Sequence, residues 1–193
     1  GVAATRLGKA VEGARALRQA RAVDAGPRAT FTLASVLASL HENDEAIAVY
    51  EEGVRDYPSV VEASWRLGRL YLEKRRFADA RAAFERVLAS EPGSREALAG
   101  LCAAAAKDGK PEDAAERCAA ATRAGPAVSE PWYHLGKALA RLGRARESEA
   151  ALARHETVLA SERLQAPYES AGIYAPLNAE SHRQLGVIYA SQG

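Results

Sequence analysis

A small residue that follows leucine recurs along this chain at a fixed spacing. Cys102 stands midway between Gly68 and Gly136, and Ala34 stands one further interval before Gly68. Glycine costs about 1 kcal/mol relative to alanine inside a helix, so its regular return in helix-favouring segments indicates a structural requirement. An interval of about 34 residues is typical of chains built from stacked supersecondary units.

Blocks that are one interval long and begin seven residues before each small residue agree at further positions. The twentieth position holds alanine or serine, the twenty-fourth holds Tyr, Phe, Cys or Leu, and the thirty-second holds proline in three blocks. Apolar residues within a block follow a helical period in two segments that are separated by a short turn. The sequence therefore predicts one helical hairpin in each of four blocks, which are 27–60, 61–94, 95–128 and 129–162.

The segment WRLGRLYLEKRRFADARAAFERVLASEP, residues 65–92, shows this pattern most fully. It resembles the tetratricopeptide repeat (TPR), a helix–turn–helix unit of about 34 residues with Leu-Gly, Ala-x-x-x-Phe and Pro positions. The resemblance implies an all-α fold, a TPR-type alpha-solenoid in which the hairpins form a right-handed superhelix with a concave groove. It also explains the glycine, because two antiparallel helices approach closely where side chains are small. We expect Gly68 to face Ala80 across its hairpin.

The blocks at both ends of the sequence are incomplete. We expect residues 1–26 to contain the second half of a partial repeat and residues 179–193 to contain the first helix of another. The sequence contains no methionine. We therefore expect the chain to be a fragment of a larger protein, and its richness in alanine and arginine predicts a bacterial source with a GC-rich genome.

The period slips after the fourth block. We expect an extended second helix in 129–162, followed by an insertion loop over 163–178, where Pro167 and other breakers oppose a long helix. Loops of this length are uncommon in compact units and are often functional. Two interpretations stay open: the loop packs over the edge of the solenoid, or it binds a partner or occludes the groove. Its apolar side chains include Tyr168, Ile173 and Tyr174.

The two cysteines occupy related positions of one repeat. Cys102 takes the eighth position and Cys118 the twenty-fourth, which should face each other across one hairpin. They are either small buried apolar residues or a possible disulfide that clamps a repeat without aromatic residues. A bonded pair would favour an extracytoplasmic location, periplasmic or secreted, whereas free thiols would favour the cytoplasm.

Charge and hydropathy exclude some classes of function. Lys and Arg total 26 against 25 Asp and Glu, so the simplest electrostatic case for nucleic-acid binding is absent. No apolar run reaches the roughly 18 residues that a membrane helix needs, which argues against direct membrane insertion. We therefore expect no nucleic-acid partner and no membrane-spanning segment.

Motifs that carry enzyme chemistry or hold cofactors are missing. The sequence has no CxxC, phosphate-loop or GxSxG pattern, and HETVL at 155–159 lacks the second histidine of a zinc-protease helix. His41 lies in the acidic segment HENDE, but we expect this segment in a turn where Asn43 or Asp44 caps the next helix. The sequence therefore predicts no catalytic residue, no metal site and no cofactor.

The resemblance also implies where a partner would bind. In tetratricopeptide proteins, positions two, five, nine and twelve of the first helices line the groove. Trp65 stands at position five rather than at the usual position four, which should turn it towards the groove. The candidate partner-binding residues are Phe31, Trp65, Arg69, Tyr133, Lys137 and Arg183.

These observations favour a non-catalytic protein–protein interaction scaffold. Such a chain would bind a peptide segment or a helix in its groove, or hold a place in a multi-subunit complex. The alternative is a regulatory or assembly module of an enzyme or membrane complex whose catalytic part lies outside this fragment. Catalytic or membrane segments flanking this one in the full-length sequence would favour the second hypothesis.

Overall fold

The structure is a computed structural model that describes residues 10–19 and 26–170, with side chains up to Arg163. Every regular element within these ranges is helical, so the all-α prediction is confirmed. The chain divides into two compact units, which we name the N-terminal unit (Gly1–Gly100) and the C-terminal unit (Leu101–Gly193).

The helices follow the predicted period. First helices begin at positions 27, 61, 95 and 129, and second helices begin at positions 43, 77, 111 and 145, so each set repeats at the predicted interval. This spacing gives one hairpin per predicted block. The helices are α1 (residues 10–19), α2 (Pro27–Ser39), α3 (Asn43–Asp56), α4 (Val61–Glu73), α5 (Phe77–Ser90), α6 (Arg95–Asp108), α7 (Pro111–Ala124), α8 (Ser129–Arg141) and α9 (Ala145–Ser170).

One residue in the turn of each hairpin adopts a left-handed conformation. The φ angles are 61° at His41 and 59° at Arg75 in the N-terminal unit, and 82° at Gly109 and 73° at Gly143 in the C-terminal unit. All four residues occupy the fifteenth position of their repeats. A left-handed residue just after a helix ends it by returning the chain against the last turn. Glycine adopts this conformation without the penalty that a Cβ atom brings.

A backbone hydrogen bond closes the first of these turns, where no side chain caps α3. The amide of Glu42 donates to the carbonyl of Leu37 at 3.0 Å, which is the bond that satisfies the end of α2. The predicted cap by Asn43 or Asp44 was wrong, because α3 already begins at Asn43 and its N-cap is Glu42. The Asn43 side chain instead donates to Glu73 on α4 at 3.1 Å.

In the N-terminal unit, the hairpin of α4 and α5 closes around Phe84. A Cβ atom added to Gly68 would lie 2.8 Å from the Phe84 ring, and one added to Gly100 would lie 2.5 Å from it. The ring is completely buried. The expected partner of Gly68, Ala80, is therefore not its nearest neighbour, because the larger Phe84 side chain reaches the space that the glycine leaves.

In the C-terminal unit, the equivalent positions are filled differently. Cys102 and Cys118 are joined by a disulfide with a Cα–Cα distance of 4.5 Å, so the structure contains the bonded alternative. In the next hairpin, a Cβ atom on Gly136 would lie 2.7 Å from the Leu152 side chain. The Ser148 hydroxyl donates to the Gly136 carbonyl at 2.9 Å. Positions eight and twenty-four thus meet in both hairpins.

The last described helix is longer than its repeat requires. α9 continues to Ser170, eight residues past the end of the predicted block at position 162, so residues 163–170, where a loop was predicted, are helical. Pro167 lies inside this helix. A proline removes its own backbone hydrogen bond, whereas the bonds on either side remain, so it weakens a helix without always ending it. Tyr168 is consequently helical, and Ile173 and Tyr174 lie outside the described residues.

Candidate partner-binding surfaces

Two neighbouring cavities lie on the N-terminal unit between α2 and α4. The first has a volume of about 460 Å³, and the second has a volume of about 310 Å³. Ser35, Tyr50 and Arg66 line both, so these three residues separate them. The other residues around the first cavity are Pro27, Arg28, Phe31, Thr32, Val60, Glu62 and Ala63. The other residues around the second are Ala38, Ser39, His41, Trp65, Arg69, Leu70 and Glu73.

Tyr50 of α3 forms the polar centre of the wall between the cavities. Only 1% of this residue is exposed, and burial raises the pKa of its hydroxyl. Ser35 of α2 and Arg66 of α4 line both cavities beside it. Because burial raises its pKa, the phenol stays neutral near pH 7.

Trp65 and Arg69 form one side of the second cavity. They stand four residues apart on α4, and the Arg69 guanidinium carbon lies 5.1 Å from the centroid of the Trp65 ring. Arg69 is exposed and Trp65 is half-buried. A cation over an indole face is attracted by the ring quadrupole, by about 0.5–1 kcal/mol at an exposed site. The pair therefore offers a partly ordered aromatic and cationic surface.

Phe31 lies at the first cavity but also packs inside its hairpin. Its ring stacks on Tyr50 with centroids 6.1 Å apart and meets Tyr57 edge-on at 6.3 Å. A Cβ atom on Gly53 would lie 2.6 Å from the ring, so glycine is needed on α3 to admit it. Phe31 thus serves the core of its repeat as well as the cavity surface.

The charges around the two cavities are unequally paired. Arg66 donates to Glu62 at 2.7 Å, and this hydrogen bond raises the pKa of Arg66. Among the described residues, no carboxylate lies within ion-pair distance of Arg28 or Arg69. Arg28 belongs to the first cavity and Arg69 to the second. Each cavity therefore carries one guanidinium that can pair with a bound carboxylate.

The C-terminal unit has an aromatic cluster next to the start of α8. The Tyr133 ring lies 5.6 Å from the His134 ring and 5.4 Å from the His155 ring of α9. His155 Nδ1 lies 3.0 Å from the Ser129 carbonyl oxygen, which can only accept, so this nitrogen carries the proton. Tyr133 nevertheless keeps 41% of its surface exposed. The cluster fixes the ring against α9 without covering it.

The extended part of α9 supports this cluster by capping α8. The Glu162 carboxylate accepts from the Ser129 amide at 3.0 Å and from the Ser129 hydroxyl at 2.5 Å. A carboxylate at a helix N-terminus satisfies free amides and complements the helix dipole. The other second helices are 14 residues long, and a helix of that length beginning at Ala145 would end before Glu162, so the longer helix holds α8 in place.

A third cavity of about 140 Å³ lies in the C-terminal unit between the start of α7 and residues 133–141 of α8. Basic and aromatic side chains face it, and no lining residue is acidic. Nearby, His134 Nε2 lies 3.3 Å from Glu130, and this hydrogen bond lowers the pKa of Glu130. The lining residues are Ala106, Lys110, Pro111, Ala114, Tyr133, His134, Lys137, Ala138 and Arg141.

The predicted site residues thus fall into three groups. Trp65 and Arg69 line one cavity, with Phe31 in the cavity beside it. Tyr133 and Lys137 line the cavity of the C-terminal unit. Arg183 lies outside the described residues.

Sequence reasoning missed the sixth position of the first helices. Arg66 and His134 both stand there and both line cavities. Each also contacts the glutamate at position two of its own helix, Glu62 or Glu130. An acid followed four residues later by a base on one helix is the signal that could have identified them.

Two kinds of site are missing from the described residues. Across residues 10–19 and 26–170, no cluster of three or more His, Cys, Asp or Glu side chains could hold a metal ion. No helix in the same part of the chain is long and apolar enough to cross a membrane.

Family comparison decides the nature of the repeat. The sequence profile of the tetratricopeptide repeat matches four overlapping segments, residues 1–61, 31–95, 65–128 and 103–160. The chain belongs to the tetratricopeptide repeat family. Among curated proteins, the sequence finds no significant relative.

Solved structures of this fold include proteins named MamA. A double mutant, MamA RS-1 ArsTM, is 23% identical with a TM-score of 0.74 and covers 82% of this chain and 89% of its own. MamA 41-end from Desulfovibrio magneticus RS-1 is 23% identical with a TM-score of 0.73, covering 81% and 89%. A further MamA crystal structure is 16% identical with a TM-score of 0.73, covering 78% and 88%. Similarity at these identities shows a shared fold.

Proposed function

We propose that this chain is a non-catalytic protein-interaction scaffold that binds a peptide segment or helix of a partner against α2 and α4 of its N-terminal unit. Membership of the tetratricopeptide repeat family supports a scaffold. The two adjoining cavities support this location, because a partner segment needs a continuous surface with several anchoring points. Concave sites with a few polar groups among apolar ones are the usual form of a binding site.

The Trp65–Arg69 pair carries the proposal. Tryptophan and arginine are the residue types most enriched among those that supply binding energy at interfaces. Here the two side chains stack on each other at the edge of a cavity, with 5.1 Å between the guanidinium carbon and the ring centroid. Because they are already held together, binding orders fewer side-chain rotamers and loses less entropy.

The cationic groups indicate the chemistry of the bound segment. Arg28 and Arg69 lie at different cavities and have no acidic partner within the described chain. A segment that places a carboxylate at either one gains a charge-assisted hydrogen bond. Between them, Phe31, Val60 and Ala63 offer an apolar surface. The segment that fits combines apolar and acidic side chains.

The experiment is a binding measurement with the double variant Trp65→Ala/Arg69→Ala. The wild-type chain first captures its partner, which is identified and purified, and affinities are then compared by isothermal titration calorimetry. Loss of two interface anchors should weaken binding by at least about tenfold. Unchanged affinity, with helicity intact by circular dichroism, would overturn the proposed location.

A matched control lies on the second helix of the same repeat. Arg86→Ala/Leu88→Ala on α5 also removes one arginine and one half-buried apolar side chain. Neither residue lines a cavity that we describe. This control should bind the partner as well as the wild type does. Equal losses in both double variants would indicate a general effect on folding.

We also propose that the chain works in an oxidising, extracytoplasmic compartment. The Cys102–Cys118 disulfide supports this, since structural disulfides persist mainly outside the reducing cytosol. Rapid alkylation of the protein in its native source, before any reductant is added, tests the proposal by mass spectrometry. Unmodified cysteines that become reactive only after reduction are expected. Alkylation of both without reduction would place the chain in a reducing compartment.

A further inference from the structure

The cavity of the C-terminal unit is unusual in its charge. Lys110, Lys137 and Arg141 line it together with His134 and the exposed Tyr133, and no carboxylate is among the lining residues. By contrast, both cavities described on the N-terminal unit include a glutamate, Glu62 in one and Glu73 in the other. Like charges held around one small space repel each other, and a bound anion relieves that repulsion.

The available charge is concentrated on α8. Lys110 pairs with Asp108 at 2.8 Å, and His134 pairs with Glu130 at 3.3 Å. Lys137 and Arg141 have no ion-pair partner among the described residues. They stand four residues apart on one helix, so their side chains project from the same face. Two uncompensated cations therefore lie side by side at the cavity.

We infer that this cavity binds a phosphate group, with Lys137 and Arg141 as its main cationic contacts and Lys110 and Tyr133 as further donors. Arginine presents a planar fork of N–H donors that suits phosphate oxygens, and lysine adds a compact charge. The start of α7 at Pro111 also lines the cavity, whereas the two acidic residues of its first turn, Glu112 and Asp113, are not among the lining residues.

The volume of the cavity suits a small chemical group such as phosphate better than a segment of a protein partner. Its volume of about 140 Å³ is roughly a third of the larger cavity in the N-terminal unit. Since a water molecule occupies about 30 Å³ of liquid, there is room for a small hydrated oxyanion. The number of donors exceeds what one carboxylate can accept, and this favours phosphate.

This site does not depend on the proposed function, because it lies in the other unit and can be measured without a protein partner. The test is a titration of the ¹⁵N-labelled chain with inorganic phosphate at pH 7.5 and constant ionic strength, with sodium nitrate as the monovalent comparison. Saturable shifts confined to amides of residues 106–114 and 133–142 are expected with phosphate. Equal, non-saturating shifts with both salts would overturn the inference.

Variants separate a built site from general electrostatic attraction. Lys137→Ala/Arg141→Ala removes the two uncompensated cations and should weaken phosphate binding by about tenfold or more. Arg123→Ala/Arg146→Ala removes two exposed basic residues of the same unit that do not line the cavity. This matched pair should leave the affinity within about twofold of the wild type. Equal weakening in both pairs would contradict a defined site.

The source of the phosphate group is decided by a second titration. N-acetyl-O-phosphoserine amide presents the same group on a side chain, and N-acetylserine amide is its control. Saturable binding of phosphoserine that disappears in Lys137→Ala/Arg141→Ala supports recognition of a phosphorylated partner. Binding of inorganic phosphate alone supports a site for the free anion. Failure of both ligands to bind would overturn the inference, even if the partner still binds at Trp65.

Discussion

Repeat two (residues 61–94) and repeat three (residues 95–128) close their hairpins in opposite ways. In repeat two, α4 and α5 are held by a single large ring, Phe84, which fills the space left by Gly68 and Gly100. In repeat three, α6 and α7 are held by a covalent bond between Cys102 and Cys118. The pairs Gly68/Phe84 and Cys102/Cys118 both occupy positions eight and twenty-four. The same two positions are therefore joined by side-chain packing in repeat two and by a covalent bond in repeat three.

The difference shows what each solution requires from its surroundings. A ring needs small neighbours, and glycine supplies them at a cost in helix propensity. A disulfide needs only two matched positions, so the rest of repeat three can be small. Residues 95–128 contain no aromatic side chain. Their buried residues are mainly alanines, namely Ala97, Ala103, Ala104, Ala105, Ala114, Ala115 and Ala121.

The largest effect should come from removing the ring of repeat two. Phe84→Ala leaves a cavity between α4 and α6, and we expect a loss of about 3–5 kcal/mol in the free energy of unfolding. Phe77→Ala is the matched control, because Phe77 is on the same helix but only half-buried. Chemical denaturation followed by circular dichroism measures both. Losses that agree within about 1 kcal/mol would show that Phe84 does not close the hairpin.

The second-largest effect should come from removing the Cys102–Cys118 disulfide of repeat three. The bond spans 16 residues of sequence. A loop of that length contributes about 3 kcal/mol by restricting the unfolded chain. Cys102→Ala/Cys118→Ala should therefore lower the free energy of unfolding by about that amount, and dithiothreitol should do the same to the wild type. A wild type that is equally stable with and without reductant would refute this.

A second variant replaces the disulfide of repeat three by side-chain packing at the same two positions. Cys102→Gly/Cys118→Leu copies the pair at Gly136 and Leu152, where a leucine side chain reaches within 2.7 Å of the position that a Cβ atom would take. It should recover part of the stability lost in the double alanine variant. It should also unfold at the same denaturant concentration with and without dithiothreitol. If it is no more stable than the alanine variant, packing cannot replace the bond.

The regular part of this fold was predictable because the period is a geometric property. The constant interval between helix starts follows from the recurrence of small and apolar positions, and the facing of positions eight and twenty-four follows from the same register. What the register cannot decide is which atoms fill the contact. The expected neighbour of Gly68 was Ala80, yet the longer Phe84 side chain occupies the space.

The candidate site was predictable only in part. Trp65 and Arg69 are brought to one cavity, as their spacing on a helix predicts. Arg66 was missed because it lines both cavities together with Tyr50 and Ser35, which come from two other helices. The continuation of α9 past Pro167 was missed because a single proline removes one hydrogen bond out of many. The first failure concerns contacts between residues that are distant in sequence. The second concerns a helix whose stability with and without the proline differs by only a small amount of free energy.

A smaller effect should come from crowding the ring of repeat two. Gly100→Ala places a Cβ atom 2.5 Å from Phe84, and overpacking of this kind costs about 1–3 kcal/mol. The gain in helix propensity offsets about 1 kcal/mol. We expect a net loss of up to about 2 kcal/mol, measured by denaturation, and a smaller loss for Gly68→Ala, where the distance is 2.8 Å.

Two comparisons show whether crowding is the cause. Gly13→Ala on α1 has no neighbouring atom within 4 Å and should stabilise the chain by up to about 1 kcal/mol. Gly100→Ala should also cost less when Phe84 is replaced by leucine, since the two substitutions share one contact. If the two changes are additive, the ring is not what opposes a side chain at position 100.

The smallest effect concerns the turns, where the two units differ again. The left-handed residue is His41 or Arg75 in the N-terminal unit and Gly109 or Gly143 in the C-terminal unit. A Cβ atom costs about 1–2 kcal/mol in this conformation, whereas glycine costs about 0.5–1 kcal/mol in unfolded-chain entropy. His41→Gly should therefore stabilise the protein by about 0.5–1 kcal/mol, measured by thermal and chemical denaturation.

The reverse substitution in the C-terminal unit completes the test. A Cβ atom at Gly109 would meet no other atom within 4 Å, so Gly109→Ala changes only the backbone preference and should destabilise by about 1 kcal/mol. Arg75→Gly should gain less than His41→Gly, because it also removes the guanidinium that lies 5.8 Å from the Phe77 ring. If His41→Gly and Gly109→Ala change the free energy of unfolding in the same direction, the left-handed backbone conformation does not determine the effect of a side chain at this position.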